Sequence, residues 1–323
     1  MSVRPHVEWI YGSARPLGEE RRYVNLGYWR GKPATLDEAS EALAALVGEA
    51  SGLGPGDVVL DAGCGFGDQD VFWSRRFGPR RIVGINIAAG QVAQARRRIA
   101  RLGLAGRVEI RLASATDIPF AAGCFDKVVA LESALHFEPR ADFFAEAWRV
   151  LRRGGRLVTT DILPLPPADW LSQALGSLVW GIPWANLYSR RVYAALLLAA
   201  GFEDVVVTSI RDHVFAPFHR HMVRRLREPG VLSRLDPLFA AYWLASTATG
   251  GVEFQSWDYV LASARKPKAG SQGRRRSLRR WPEKPRVKAD SISRSRKERR
   301  RPPWQHEPCR TGRSCRVTTR PSE

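Results

Sequence analysis

The sequence predicts an α/β protein built on a doubly wound, mostly parallel sheet of seven strands. Three observations carry that prediction. Short apolar, β-branched runs alternate with helix-period patterns over most of the chain. Most of these runs are continuously apolar, as strands covered on both faces are. A glycine-rich turn, Gly63-Cys-Gly-Phe-Gly67, follows the first run and opens a helix-period stretch.

Taken in order, Thr35-Leu-Asp-Glu38 is a capping-box pattern that opens a helix through Leu43 and Leu46. Strands are expected at 58–61, 82–86, 108–112, 127–131, 156–163, 204–210 and 259–264. Between the second and third, Val92, Ala95, Ile99 and Leu102 fall at helical steps across 89–103. A further helix through Phe143, Phe144, Ala147, Val150 and Leu151 is expected to stop at Gly154-Gly155. These elements divide the chain into an N-terminal helical cap segment (1–55), a core domain (56–266) and a tail (267–323). Inserts interrupt the core at about 164–188 and 217–250.

Charge sorts the chain the same way. The formal net charge is +19, yet 20 of the 51 Lys+Arg and 5 of the 32 Asp+Glu lie in 266–323. The remaining 265 residues hold 31 basic against 27 acidic side chains, so the body is close to neutral and is expected to take no stable nucleic-acid partner. The Arg-rich tail is too polar to offset chain entropy by burial, and is expected to be disordered and to bind polyanions weakly. The four cysteines show neither a disulfide framework nor zinc spacing, which predicts no metal and free thiols in the cytoplasm. The first twelve residues lack the apolar stretch of a signal peptide. Residues 170–189 are uncharged, but Gly, Pro and Ser interrupt them; they read as a cover over an apolar pocket and not as a bilayer span, and no transmembrane segment is expected.

The chemistry concentrates after the first strand. A dinucleotide fingerprint would need glycine at 68, where Asp68 stands, and pyrophosphate would meet Asp68 and Asp70 in the first helical turn. A cofactor without phosphate is expected, with Asp61 suited to a cationic amino acid moiety or a bridging water. The run 58–67 resembles motif I of the class I S-adenosylmethionine-dependent methyltransferases, and the resemblance extends over 23–266. It implies the strand order 3-2-1-4-5-7-6 with the last strand antiparallel, and S-adenosyl-L-methionine bound at Gly63, Gly65 and Gly67. It also implies Asn86 on the ribose and Ser114-Ala115 near the adenine, with Ser114 where the family has Asp.

A closer resemblance, to the fatty-acid and natural-product O-methyltransferase branch, rests on 23–29, 65–70 and Glu132-Ser-Ala-Leu-His-Phe137. It implies an aromatic N-terminal segment over the cofactor, with Tyr23, Tyr28 or Trp29 facing the sulfonium; ordinary packing is the competing reading for each ring. It implies His136 as general base, oriented by Asp161 from the next strand. The expected function is methyl transfer to a small lipophilic acceptor, at oxygen. Two other readings stand beside it: a nucleic-acid methyltransferase using the basic tail, and a non-catalytic binding protein that keeps the fold.

Overall fold

In the computed structural model the chain divides into two compact units, Met1–Gly273 and Arg274–Glu323. The structure describes residues 21–165, 174, 177, 178 and 180–268, all in the first unit. The expectations for the tail, for the first twelve residues and for most of 166–179 lie outside the described residues.

Seven strands form one sheet: β1 (Val58–Ala62), β2 (Arg81–Asn86), β3 (Val108–Leu112), β4 (Phe125–Leu131), β5 (Leu151–Pro164), β6 (Glu203–Ser209) and β7 (Trp257–Arg265). Their order is β3-β2-β1-β4-β5-β7-β6. β1 to β5 pair in parallel, and β7 runs antiparallel between β5 and β6. The helices are α1 (Leu36–Ser51), α2 (Asp68–Arg76), α3 (Ala89–Arg101), α4 (Arg140–Val150), α5 (Arg190–Ala199), α6 (Phe215–Leu226) and α7 (Pro237–Thr249). α1 opens as the capping box requires: Thr35 Oγ1 accepts from the Glu38 amide at 3.1 Å, while Glu38 reaches back to the Ala34 amide at 2.7 Å.

Strand periodicity of two separates the core into two layers. Val59, Ile82, Val129, Val158 and Tyr259 pack with α1, α2, α3, α6 and α7. Their neighbours Leu60, Val83, Val128, Leu157 and Val260 pack with α4 and α5. Trp73 Nε1 donates to the Ala44 carbonyl at 2.7 Å, fixing α2 against α1. This two-sided burial is why the strand runs read as continuously apolar.

Two expected boundaries move. α4 ends at Val150, and the chain turns at once into β5 at Leu151. Gly154 and Gly155 therefore lie inside the strand, at a register shift between Phe125 and Lys127 of β4. Their role is backbone contact: the Gly154 amide donates to the Lys266 carbonyl at 2.9 Å, and a Cβ on Gly155 would meet two carbonyl oxygens at 2.9 Å. At the other end, Lys266 Nζ donates to the Trp148 and Leu151 carbonyls at 2.7 Å, so the packed body runs through this residue.

Candidate active site

The carboxyl ends of β1, β2 and β4 meet at the glycine turn. Gly63, Gly65 and Gly67 all hold left-handed backbone, at φ 83°, 55° and 75°. The Gly63 and Cys64 amides both donate to the Ile85 carbonyl, at 2.8 and 3.1 Å, which clips the turn to β2. Ser133 Oγ donates to the Ala62 carbonyl at 2.6 Å and clips it to the end of β4.

Beside the turn lies a cleft of about 810 Å³, its open mouth included. Four of the expected site residues line it: Gly63, Gly65, Asn86 and His136. Arg22, Gln69 and Gln91 also line it, none of which sequence reasoning assigned to the site, and so does Glu132 of the stretch that bears His136. Asn86 Nδ2 donates to Gln91 Oε1 at 2.7 Å, joining the end of β2 to the first turn of α3. Gln91 sits five positions beyond Asn86, and only that offset in a strand-to-helix crossing hinted at it.

Asp61 reaches the cleft only through Gln69. Its side chain is fully buried, and Gln69 Nε2 donates to its Oδ2 at 2.9 Å. Burial pushes the Asp61 carboxyl up to about 7, with the Gln69 amide pulling it back. Asp70, equally buried, is driven well above the usual carboxylate range by burial and by the charge of Asp61. Burial and the repulsion between the two charges both favour the protonated form of the pair. Gly67 caps α2 from outside the cleft, where a Cβ would meet Ala95, Asp70 and Ile110.

The N-terminal segment closes one wall with Arg22, Val24 and Asn25. Tyr23 turns away from the lining, and its hydroxyl is buried without a hydrogen-bond partner. Tyr28 sets its edge against His213 at 5.6 Å, and Trp29 lies 4.8 Å from the His221 ring. Two of the rings expected to face a sulfonium, Tyr28 and Trp29, thus pack toward the start of α6, where the Trp29 N–H donates to the His213 carbonyl at 2.8 Å. Glu132 fastens this segment: its Oε2 accepts the Leu26 amide at 3.0 Å and the Tyr259 hydroxyl. Glu132 itself sits at φ 49°, and burial pushes its carboxyl up to about 7.

Ser114 and Ala115 do not line the cleft. Ser114 Oγ accepts the Thr116 amide at 3.1 Å, which spends it inside its own turn, and Ala115 is buried in the second core layer.

His136 ends a 3₁₀ turn, Ala134–His136, just after β4. Its Nδ1 lies 3.1 Å from the Gly181 carbonyl. A carbonyl only accepts, so this contact puts a proton on Nδ1. The expectation that Asp161 orients this ring is corrected. Asp161 is fully buried; Oδ1 accepts from Arg140 Nη2 and the Ile162 amide, each at 3.0 Å, and Oδ2 accepts the Tyr193 hydroxyl at 3.1 Å. Burial raises its carboxyl to about 6 against the opposing pull of Arg140. A buried guanidinium outcompetes a neutral imidazole for a carboxylate, which is why the two strand ends do not form a dyad.

Of the expected cover at 170–189, the continuously described part runs from Trp180 onward. Trp180 packs on Phe215 and Phe254, at ring distances of 6.2 and 5.6 Å, while Trp184 is 66% exposed. The apolar lining comes from Val24, Phe66, Leu131 and Phe137. Among the described residues no cluster of His, Cys, Asp or Glu suits a metal, and no helix is long and apolar enough to cross a membrane.

Comparison with known proteins adds a second line. The family described as "Methyltransferase domain" matches residues 60–159. Erythromycin 3''-O-methyltransferase of Saccharopolyspora erythraea is 42% identical over 261 residues, 77% of this chain and 85% of the relative. The 27-O-demethylrifamycin SV methyltransferase of Amycolatopsis mediterranei is 32% identical over 246 residues, 75% of this chain and 89% of its own length. Among solved structures, the [4+2]-cyclase SpnF superposes with a TM-score of 0.63 at 26% identity, covering 82% of this chain and 92% of that one. Geranyl diphosphate methyltransferase in complex with SAM gives 0.58 at 28% identity, covering 72% and 88%.

Proposed function

The chain belongs to the S-adenosylmethionine-dependent methyltransferases, and from that premise we propose that it methylates a hydroxyl of a small natural-product acceptor, with His136 as the base. The residues of the cleft fit the cofactor. Gly63 and Gly65 keep the end of β1 free of side chains, the Asn86–Gln91 amide pair offers donors and acceptors to a ribose diol, and Gln69 presents an amide fixed from behind by Asp61. Asp68 and Asp70 in the first turn of α2 disfavour a phosphate there. When bound, S-adenosylmethionine supplies the electrophilic methyl group. The protein's own part is alignment and proton removal. The Gly181 carbonyl holds the His136 ring so that Nε2 accepts the acceptor's hydroxyl proton, and a neutral imidazole does this near pH 7.

One observation carries this reading: His136, its Nδ1 held at a backbone carbonyl, shares the cleft with the glycine turn and Asn86. Oxygen as the methylated atom is supported by the O-methyltransferase relatives. A lipophilic acceptor is supported by Val24, Phe66, Leu131 and Phe137 in the lining. The test pairs the full chain and labelled cofactor with natural-product alcohols, phenols and carboxylic acids. On the best hydroxyl acceptor, His136→Ala is expected to lower turnover by roughly 100-fold or more, with cofactor affinity unchanged. Full-rate turnover by that variant refutes the base.

A further inference from the structure

We propose that helix α7, with the turn before it, is a docking face for an anionic lipid surface. From Pro237 to Val252 the sequence holds no Lys, Arg, Asp, Glu or His. One side of the helix is spent on the core through Phe239 and Trp243, the latter 5.7 Å from the Phe218 ring of α6. The opposite side, polar in an ordinary surface helix, is apolar as well. Leu238 is 73% exposed and Leu244 52%, and Ala241, Ala245 and Ala248 are exposed at helical steps beside them. Leu232 before the helix and Val252 after it are exposed too. Among the described residues nothing covers this face. A helix apolar all round is ordinarily buried, and an exposed apolar face of this kind marks a partner of the same character.

The charge around the face selects that partner. The insert 217–250 holds five arginines against Glu228 and Asp236. Arg225 pairs with Glu228, and Arg224 Nη2 donates to the Ala34 carbonyl at 2.7 Å. Arg220, Arg227 and Arg234 are exposed and take no acidic partner among the described residues. An apolar face beside unpaired guanidinium groups suits acyl chains beneath anionic headgroups, where apolar burial and charge attraction add. A second copy of the chain suits it less, because each copy carries a net charge of +19 and brings the same unpaired arginines. With 13 residues α7 is too short to span a bilayer, so it lies on the surface.

α7 reaches the cleft through α6. On α6, the His221 ring lies 4.8 Å from Trp29, and the bond from Arg224 to Ala34 holds the same N-terminal segment. That segment walls the cleft with Arg22, Val24 and Asn25. A lipid surface against α7 is thus one helix away from the segment that walls the cleft. Docking of this kind stands whichever acceptor is methylated and whatever His136 does.

The experiment is co-sedimentation of the full chain with vesicles, either of phosphatidylcholine alone or of an equimolar mixture with phosphatidylglycerol. Wild type is expected to bind the mixed vesicles, and phosphatidylcholine alone about tenfold more weakly or less. The basic tail attracts anionic vesicles by charge alone, so the leucines carry the decision. Leu238→Ser combined with Leu244→Ser is expected to keep the wild-type melting temperature, both positions being exposed, and to weaken binding to the mixed vesicles about tenfold or more. Arg227→Gln with Arg234→Gln is expected to weaken it several-fold. Leu198→Ser, at an exposed leucine of α5, is expected to leave it unchanged. Absence of vesicle binding by wild type overturns the proposal, as does wild-type binding by the folded Leu238/Leu244 variant or an equal loss in Leu198→Ser. Should the Leu238/Leu244 variant fail to fold, unchanged binding by the arginine variant overturns it. A wild-type dimer in sedimentation velocity that the Leu238/Leu244 substitutions turn into monomer assigns the face to a second copy and overturns it too.

Discussion

A Cβ placed on Gly63 would stand 2.4 Å from Ser133 Cβ, whereas one on Gly65 meets only Val24 Cγ2, at 3.8 Å. Both residues hold left-handed backbone, so alanine at either costs about 1–2 kcal/mol of local strain. At Gly63 the overlap adds roughly 1–3 kcal/mol more, because Ser133 is itself bonded to Ala62 and has nowhere to go. Gly63→Ala is therefore expected to lower the denaturation midpoint well beyond Gly65→Ala and to displace the end of β4. Denaturant melts of the two variants check this, and equal losses would remove the argument. The two glycines stand alike in sequence. Only the opposite strand end, seventy residues on, separates them.

Between elements, buried acids tie the N-terminal segment and α2 to the sheet. Glu132 joins Leu26 to Tyr259, and Asp61 holds Gln69. Both Glu132 and Asp61 titrate near 7 in the folded chain, above their ordinary values of 4.5 and 3.8. Between those values the native state keeps protons that the unfolded chain has released, so these groups make stability fall as pH rises through that window. His221, lowered to about 4 by burial, works the other way below 6.5, while Asp70 and Asp161, both raised, act with Glu132 and Asp61. The ligand-free protein is accordingly expected to melt at higher temperature at pH 6 than at pH 8. Glu132→Gln, which still accepts the Leu26 amide, is expected to shrink that difference. Thermal melts across the range decide it, and a rising profile would contradict the assignment.

At the scale of the molecule, β7 completes the sheet at Arg265 and Lys266 closes it: its amide donates to the Gly155 carbonyl at 2.9 Å and its ammonium caps the end of α4. We propose that the Arg-rich remainder contributes nothing to folding or transfer. Deleting 269–323 is expected to leave the melting temperature and turnover unchanged. It is also expected to abolish salt-sensitive retention on heparin, since most of the +19 charge leaves with it. A loss of turnover would show that the tail serves the reaction.

What the sequence determined by itself was the sheet, the glycine turn and the strand ends that border the cleft. Strand and helix periods, capping at Thr35 and left-handed glycines follow from local sterics and burial, and each was legible over a few residues. The same reading put Asn86 at the end of β2 and His136 just after β4, where they are. It missed Gln69 and Gln91, left the role of Glu132 open, and paired His136 with Asp161. Those outcomes depend on which buried donors meet which acceptors across the fold. Glu132 finds Leu26 at a separation of 106 residues, and Asn186 finds Leu135 at 51. Only the tertiary structure decided them, because a buried polar group must take a partner, and in a packed core the partner is whichever atom the fold brings within reach.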